Sequence, residues 1–442
     1  MEFKLISRFG KHLLFLPEHL LLFEIDEELF SFFENKSTLP ESIKKEIFKY
    51  LPIKQKNELT KTVEEKYDIN AIVLTVSHEC NLNCKYCYGN NGTYGNPGVM
   101  DFETAKRAIE TFFDKGQSNV GITFFGGEPL LNFKLIKQVT KFAKEYIGRN
   151  VKFGMTTNGI LIKDDVACFL TNNDFSVLIS LDGDQFYNDK LRYTKAGKGT
   201  HNTILNSIKK LLLYNTNGRV SIRATLTSIN NDLIELVGYF SSLDLPFTIQ
   251  LVTTNDENLR PTFEELSSKI NDFGKYITDL VRDRNYKQAF KKTFGWMNLA
   301  ITVVHGKNKR FYPCGGGRKV LVVNPMGDVY ICHRMDGNNN GKVGNIFEDT
   351  RKDIIENTRR LFSEKLYTVD HLQDCSNCWA KYICGGRCYH ESLITANEWN
   401  TVDKLSCHFK KKLFELGLVI YAYLPDKLKD NFSKANKSEV VS

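Results

Sequence analysis

Cys80-Asn81-Leu82-Asn83-Cys84-Lys85-Tyr86-Cys87 decides the reading of this chain. It sets three cysteines at the spacing C-x3-C-x2-C, with an aromatic residue before the last, soon after the apolar run Ala71–Val76. Three thiolates on one short loop suit three irons of a 4Fe–4S cubane, because four-Cys clusters take one thiolate per iron. No fourth cysteine lies nearby, which leaves the fourth iron open to an outside ligand. The alternative is a zinc site, which wants four ligands and would have to recruit His78.

Outward from this loop, residues 70–255 alternate strand-like and helix-like segments. The expected strands are Ala71–Val76, Gly121–Phe125, Val151–Thr156, Ser176–Leu181, Val220–Leu226 and Phe247–Val252, mostly short apolar runs such as parallel strands covered on both faces carry. Asp101–Lys115 has Phe102, Ala105, Ala108, Ile109, Phe112 and Phe113 at helical spacing, with Gly116 placed for a C′ residue. Asn132–Ile147 is a second amphipathic helix. Repeated strand–helix units predict right-handed crossovers and a parallel sheet curled into a partial barrel, its site at the C-terminal strand ends.

The cysteine loop resembles the signature of the radical S-adenosylmethionine (SAM) enzymes. The resemblance implies that SAM chelates the open iron and is cleaved by one electron to a 5′-deoxyadenosyl radical that abstracts a substrate hydrogen. Further matches follow in family order: Gly126-Gly127-Glu128-Pro129, Thr156-Thr157-Asn158-Gly159, Ser180-Leu181-Asp182-Gly183 and Leu191-Arg192-Tyr193. Gly126, Gly127 and Glu128 are thereby expected to hold the SAM amino group, the glycines by close backbone approach and Glu128 by its carboxylate. Asn158 is expected to contact SAM, Ser180 and Arg192 to bind its carboxylate, and Tyr86 to complete the cofactor site. Gly197-Lys198-Gly199-Thr200 reads as a turn rather than a phosphate loop.

Ten of the eleven cysteines fall into two groups; only Cys168, in an apolar helical context, stands alone and reads as a core thiol. The second group is Cys314, Cys332, Cys375, Cys378, Cys384, Cys388 and Cys407. Its order resembles the SPASM domain, the auxiliary-cluster extension of peptide- and protein-modifying radical SAM enzymes. The resemblance implies two auxiliary clusters, one closed by Cys375, Cys378, Cys384 and Cys407, the other held by Cys314, Cys332 and Cys388. Three 4Fe–4S clusters and SAM are therefore the expected cofactors. Sulfatase-type maturases carry an eighth cysteine between the first two; here none lies between Cys314 and Cys332. One iron is left for a substrate Cys thiolate, or else for water, a non-Cys ligand or Cys168. Those maturases also use an aspartate base just before this domain, and Thr293-Phe294-Gly295-Trp296-Met297-Asn298 has no acid. No general base is named.

Residues 1–66 carry no cysteine. His12–Leu16 and Leu20–Ile25 read as strands, 26–35 as a helix capped by Asp26, and 40–50 as a second helix. This module resembles the leader-peptide recognition element of ribosomal peptide maturases, where a peptide adds as a strand to an exposed sheet edge. A plain packing cap on the barrel is the alternative.

The expected fold class is thus α/β: a partial (β/α)6 TIM-like radical SAM barrel at 69–300, a small winged-helix-like module at 1–68, and a SPASM domain at 301–442 that ends in a helix near 408–423 and a polar, frayed tail after Asp430. At 442 residues with 42% apolar and 25% charged residues, global disorder is excluded. The net charge of +8 is scattered over lysine-rich surface stretches. With no apolar run of membrane length and no signal-peptide pattern, the expected compartment is cytoplasmic, with neither membrane nor nucleic acid as partner. The expected partners are a precursor peptide with its leader and an electron donor such as flavodoxin or ferredoxin. The expected activity is maturation of that peptide by an intramolecular Cys thioether. Carbon–carbon crosslinking, epimerisation, and oxidation of a protein Cys or Ser are the enzymatic alternatives; an iron–sulfur or zinc binding protein is the non-enzymatic one.

Overall fold

The computed structural model describes residues 2–36, 38–50, 67–148, 150–214 and 219–435. Strands β1 (Lys4–Arg8), β2 (Lys11–Leu16) and β3 (Leu21–Glu24) form an antiparallel sheet in that order. The first strand was not anticipated. It pairs with β2 through a turn at Phe9 and Gly10, both at positive φ, the geometry that suits the twist of a two-residue hairpin. Helices Glu27–Glu34 and Glu41–Tyr50 follow, the first capped by Asp26, which accepts from Leu29 N at 2.8 Å. The rest of the expected module, 51–66, lies outside the described residues.

The large sheet holds β4 (Ala71–Ser77), β5 (Gly121–Gly126), β6 (Lys152–Thr157), β7 (Ser176–Ser180), β8 (Val220–Leu226) and β9 (Phe247–Leu251), each parallel to the next. β4 and β9 do not pair, so the barrel is partial. Beyond β4 the sheet continues into β10 (Val320–Val323), β11 (Asp328–Tyr330) and β12 (Lys342–Asn345). β10 runs parallel to β4 and gives this otherwise bare barrel edge a backbone partner. The expected boundary at 300/301 falls inside the helix Gly295–Gly306.

The barrel strands are not apolar on both faces. From β5 to β9 they alternate. Ile222, Ala224 and Leu226 of β8, for instance, are buried against the helices, while Ser221, Arg223 and Thr225 keep accessible surface. Thr123, Thr156, Ser180 and Gln250 take the same inward position on their strands. A lumen with room for ligands needs this polar lining; a filled barrel core would not.

The helix Phe102–Phe112 is capped by Asp101 and ends before Gly116, whose positive φ serves the following turn rather than a helix cap. The C-terminal helix runs from Lys404 to Tyr423, and another, Asp426–Ala435, occupies the region expected to fray; 436–442 lie outside the described residues. Ile6, Leu13, Phe15 and Leu20 of the small sheet share a core with Leu299–Val304, Val369–Ile383 and Phe414–Val419, so this module packs on the C-terminal domain. Among the described residues no helix is long and apolar enough to cross a membrane.

Candidate active site

The Cys80–Cys87 loop leaves the C-terminal end of β4 and is clamped from two sides. On one side, Gly127 N donates to Ser77 O and Glu128 N to Glu79 O, both at 2.9 Å. A Cβ on Gly126 would lie 2.3 Å from Ser77 O, and one on Gly127 2.3 Å from Glu79 O. These glycines therefore let the end of β5 approach the backbone of Ser77 and Glu79. On the other side, Asn83 N donates to Tyr193 O and Lys85 N to Leu191 O. The loop is thus built by the segments that follow β5 and β7.

Glu128 also has internal partners. Its carboxylate is fully buried and accepts from Leu130 N (3.1 Å), Thr157 Oγ1 (2.7 Å) and Asn158 N (2.8 Å). Burial pushes its pKa up and the three donors oppose this. The side chain ties the end of β5 to the end of β6. Asn158 is likewise engaged: its Nδ2 donates to Asn81 Oδ1 at 2.7 Å and lies 3.9 Å from Cys80 Sγ. Both residues hold the cysteine loop in place.

Arg192 is buried, and its Nη1 donates to the Tyr86 hydroxyl at 2.7 Å; that hydroxyl in turn bonds Asp182. Burial alone would lower the Arg192 pKa, but Cys84, Tyr86 and Asp182 outweigh it and hold the guanidinium charged. Its Nε has no hydrogen-bond partner, an orphaned buried donor of the kind a ligand carboxylate satisfies. Ser180 lies nearby in sequence on the inward face of β7. A cavity of about 510 Å³ lies over the loop, lined by Cys84, Cys87, Lys85, Asn90, Tyr193 and Asn258 among others. These features fit a cluster on the three thiols with SAM beside Arg192.

His78 is not available as a zinc ligand. Its Nε2 meets Asp336 Oδ2 at 2.9 Å, both side chains buried, and its Nδ1 meets Asn96 O at 2.7 Å. Asn324 Nδ2 also donates to Asp336, at 3.1 Å. This pair fastens the end of β4 to the C-terminal domain. Removing one member leaves buried polar groups without partners, so Asp336→Ala is expected to cost about 3 kcal/mol. The check is a lowered denaturant midpoint relative to wild type, both prepared without iron.

Several of the seven later cysteines influence one another electrostatically. Cys332 is pushed up to about 12 by burial and then by Cys388 and Cys314. Cys375, also raised to about 12, feels burial, then Cys384 and Cys378, while Cys407 feels Cys384 and Cys375. Cys314 is accessible yet strongly desolvated by its surroundings, as a side chain facing an internal space is. Iron binding must displace protons from such thiols. Cys168 is only partly buried, on the helix Asp164–Asn172, where Asn172 bonds its sulfur at 3.3 Å. Among the described residues no three His, Cys, Asp or Glu side chains are gathered as for a single metal ion.

Several polar residues near these thiols carry no sequence motif: Tyr88, Arg223, His333, Arg334, His390 and the Glu391–Lys410 ion pair at 3.0 Å. The signal for Arg223 was an arginine inside the strand Val220–Leu226.

Residues 74–237 match the model of the radical SAM superfamily, and 314–379 that of SPASM, an iron–sulfur cluster-binding domain. The uncharacterized protein MJ0907 of Methanocaldococcus jannaschii is 31% identical over 60% of this chain and 85% of its own length. A cysteine-type anaerobic sulfatase-maturating enzyme of Clostridium novyi is 25% identical over 81% of this chain and 98% of its own. The radical SAM cyclopropyl synthase TigE of Paramaledivibacter caminithermalis is 25% identical over 83% and 78%. Among solved structures, anSMEcpe with bound AdoMet and a peptide superposes with a TM-score of 0.68 at 17% identity, covering 82% of this chain and 99% of that one. Streptococcus suis SuiB bound to its precursor peptide SuiA superposes with a TM-score of 0.52 at 17% identity, covering 91% and 98%. Both share the fold.

Proposed function

Since the chain belongs to the radical SAM superfamily and carries a SPASM domain, we propose that it matures a ribosomally made precursor peptide by joining a Cys sulfur to a carbon of another residue. Members of this family are enzymes that modify peptides or proteins; the radical SAM domain binds SAM and a 4Fe–4S cluster, and the SPASM domain binds auxiliary iron–sulfur clusters. When bound, these groups supply the electron that cleaves SAM to a hydrogen-abstracting radical, and a sink for the electron released as the sulfur–carbon bond forms.

In this reading Cys80, Cys84 and Cys87 hold the first cluster. Arg192, through its free Nε, and Ser180 take the SAM carboxylate; Gly126, Gly127, Glu128 and Asn158 support the loop and the ligand around it, and Tyr86 orients Arg192. Cys375, Cys378, Cys384 and Cys407 close one auxiliary cluster. Cys314, Cys332 and Cys388 hold the other. The observation that carries the thioether reading is this last set: three thiols rather than four, with Cys314 facing internal space where a substrate thiolate can complete it.

The N-terminal sheet supports a peptide partner. Among the described residues β3 pairs only with β2, so its outer edge is free for a leader strand, and Leu29 and Phe32 of the next helix are exposed. Flavodoxin or ferredoxin is the proposed electron source, and the cytoplasm the proposed compartment. The second reading is oxidation of a protein Cys or Ser, favoured by the sulfatase-maturating relative matched over nearly its whole length.

The test is anaerobic reconstitution followed by incubation with SAM and a Cys-containing peptide encoded beside this gene. A thioether removes two hydrogens from the peptide and one alkylatable thiol. Loss of two hydrogens with all thiols still alkylatable points to a carbon–carbon link and rejects the thioether. Arg192→Gln is expected to weaken SAM binding about tenfold or more, the value of a charge-assisted hydrogen bond, read by equilibrium dialysis.

A further inference from the structure

Resting on that reading, we propose that Arg223 and Arg334 form a site for a carboxylate of the peptide substrate, held in the lumen between the Cys80–Cys87 loop and the Cys314/Cys332/Cys388 set. Arg223 takes an inward position on β8, opposite Ser180 of β7 and Thr248 of β9. Its guanidinium makes no hydrogen bond or ion pair with any described residue. Arg334 lies 5.3 Å from the ring of Tyr88 and donates a long 3.4 Å bond to Thr253 Oγ1. Tyr88 follows Cys87, and its ring packs 5.4 Å from His390, two residues past Cys388. His333 packs 4.4 Å from Phe125 at the end of β5. These contacts place the guanidiniums where the barrel and the auxiliary domain meet.

Arg223 itself is short of compensating negative charge. Burial, then the Arg334 charge, lowers Arg223 to about 10. The nearby carboxylates are engaged: Glu391 bonds Lys410 and Ser406, and Asp182 accepts from Thr225 N and Tyr86. Tyr88 keeps 37% of its surface accessible, yet burial pushes its hydroxyl to about 12; a side chain lining an internal lumen has both properties. Two guanidiniums sharing such a space call for an anion, and their planar forks fit a carboxylate. Offsetting the charge of the thiolates accounts for Arg310 and Arg318 beside Cys314, and in part for Arg334, which Cys388 and Cys332 influence. It does not account for Arg223, which the barrel presents from a different strand and to which Cys388 contributes least.

SAM also carries a carboxylate, so the test separates the two sources. The iron-reconstituted full chain is dialysed to equilibrium, with and without SAM, against acetyl-Gly-Ala-Asp-Ala-Gly-amide and its Asn counterpart. The Asp peptide is expected to bind at least tenfold more tightly than the Asn peptide to wild type. The preference should fall below threefold in Arg223→Gln and Arg334→Gln, and survive in part in Arg223→Lys. No preference in wild type overturns the proposal, as does an unchanged preference in both Gln variants. Loss of SAM affinity in Arg223→Gln with the peptide preference intact overturns it too and assigns the arginine to SAM. A wild type that takes up no iron and cleaves no SAM instead rejects the functional reading itself.

Discussion

Replacing Cys80, Cys84 and Cys87 together by Ala is expected to abolish cleavage of SAM to 5′-deoxyadenosine, down to the background of protein-free buffer. Iron per chain should fall from about twelve to about eight, one four-iron cluster lost from three. The argument is local. The three cysteines leave one strand end on a loop held by backbone bonds from Gly127, Glu128, Asn83 and Lys85, so losing the thiols removes ligands and leaves that scaffold. Retained cleavage in the reconstituted triple variant would falsify the assignment. A fall from about eight irons to about four would leave a single auxiliary cluster and remove the open-iron argument.

Cys332→Ala should separate two steps that the first variant loses together. Peptide product is expected to vanish while SAM cleavage continues in part, because the proposed assignment puts Cys332 with Cys314 and Cys388 and not with the first loop. Iron should fall by about four. Cys314→Ala is expected to behave alike, and Cys168→Ala to leave product and iron at wild-type levels, since Cys168 sits on the helix Asp164–Asn172 away from both sets. Normal product from Cys332→Ala would take this set out of the chemistry. Quantifying 5′-deoxyadenosine and peptide mass in the same reaction gives both readouts.

Folding gave some residues partners that their motifs do not name. Gly126, Gly127 and Glu128 were picked out as ligand-binding residues because they lie in a glycine–glycine–acid segment at a strand end. In the fold their first task is internal: the glycines admit the backbone of Ser77 and Glu79, and the carboxylate gathers donors from Leu130, Thr157 and Asn158. A motif records which residue types must stand at a spacing. It does not record whether the constraint comes from a ligand or from a neighbouring loop. His78 shows the same limit. Its nearness to Cys80 made it a zinc candidate, whereas both ring nitrogens are engaged by Asn96 and Asp336.

What the sequence by itself determined is whatever depends on short spacing or period: the cysteine loop, the strand–helix alternation, the count of seven later thiols and the absence of an eighth. A few bonds of backbone set the geometry in each case. Only the tertiary structure decided what depends on strands and loops far apart in the chain. It joined β10 to β4, put Asp336 on His78, and set Arg223 of β8 near Arg334 beyond β11. Such meetings follow from sheet order and register, and no local periodicity encodes them.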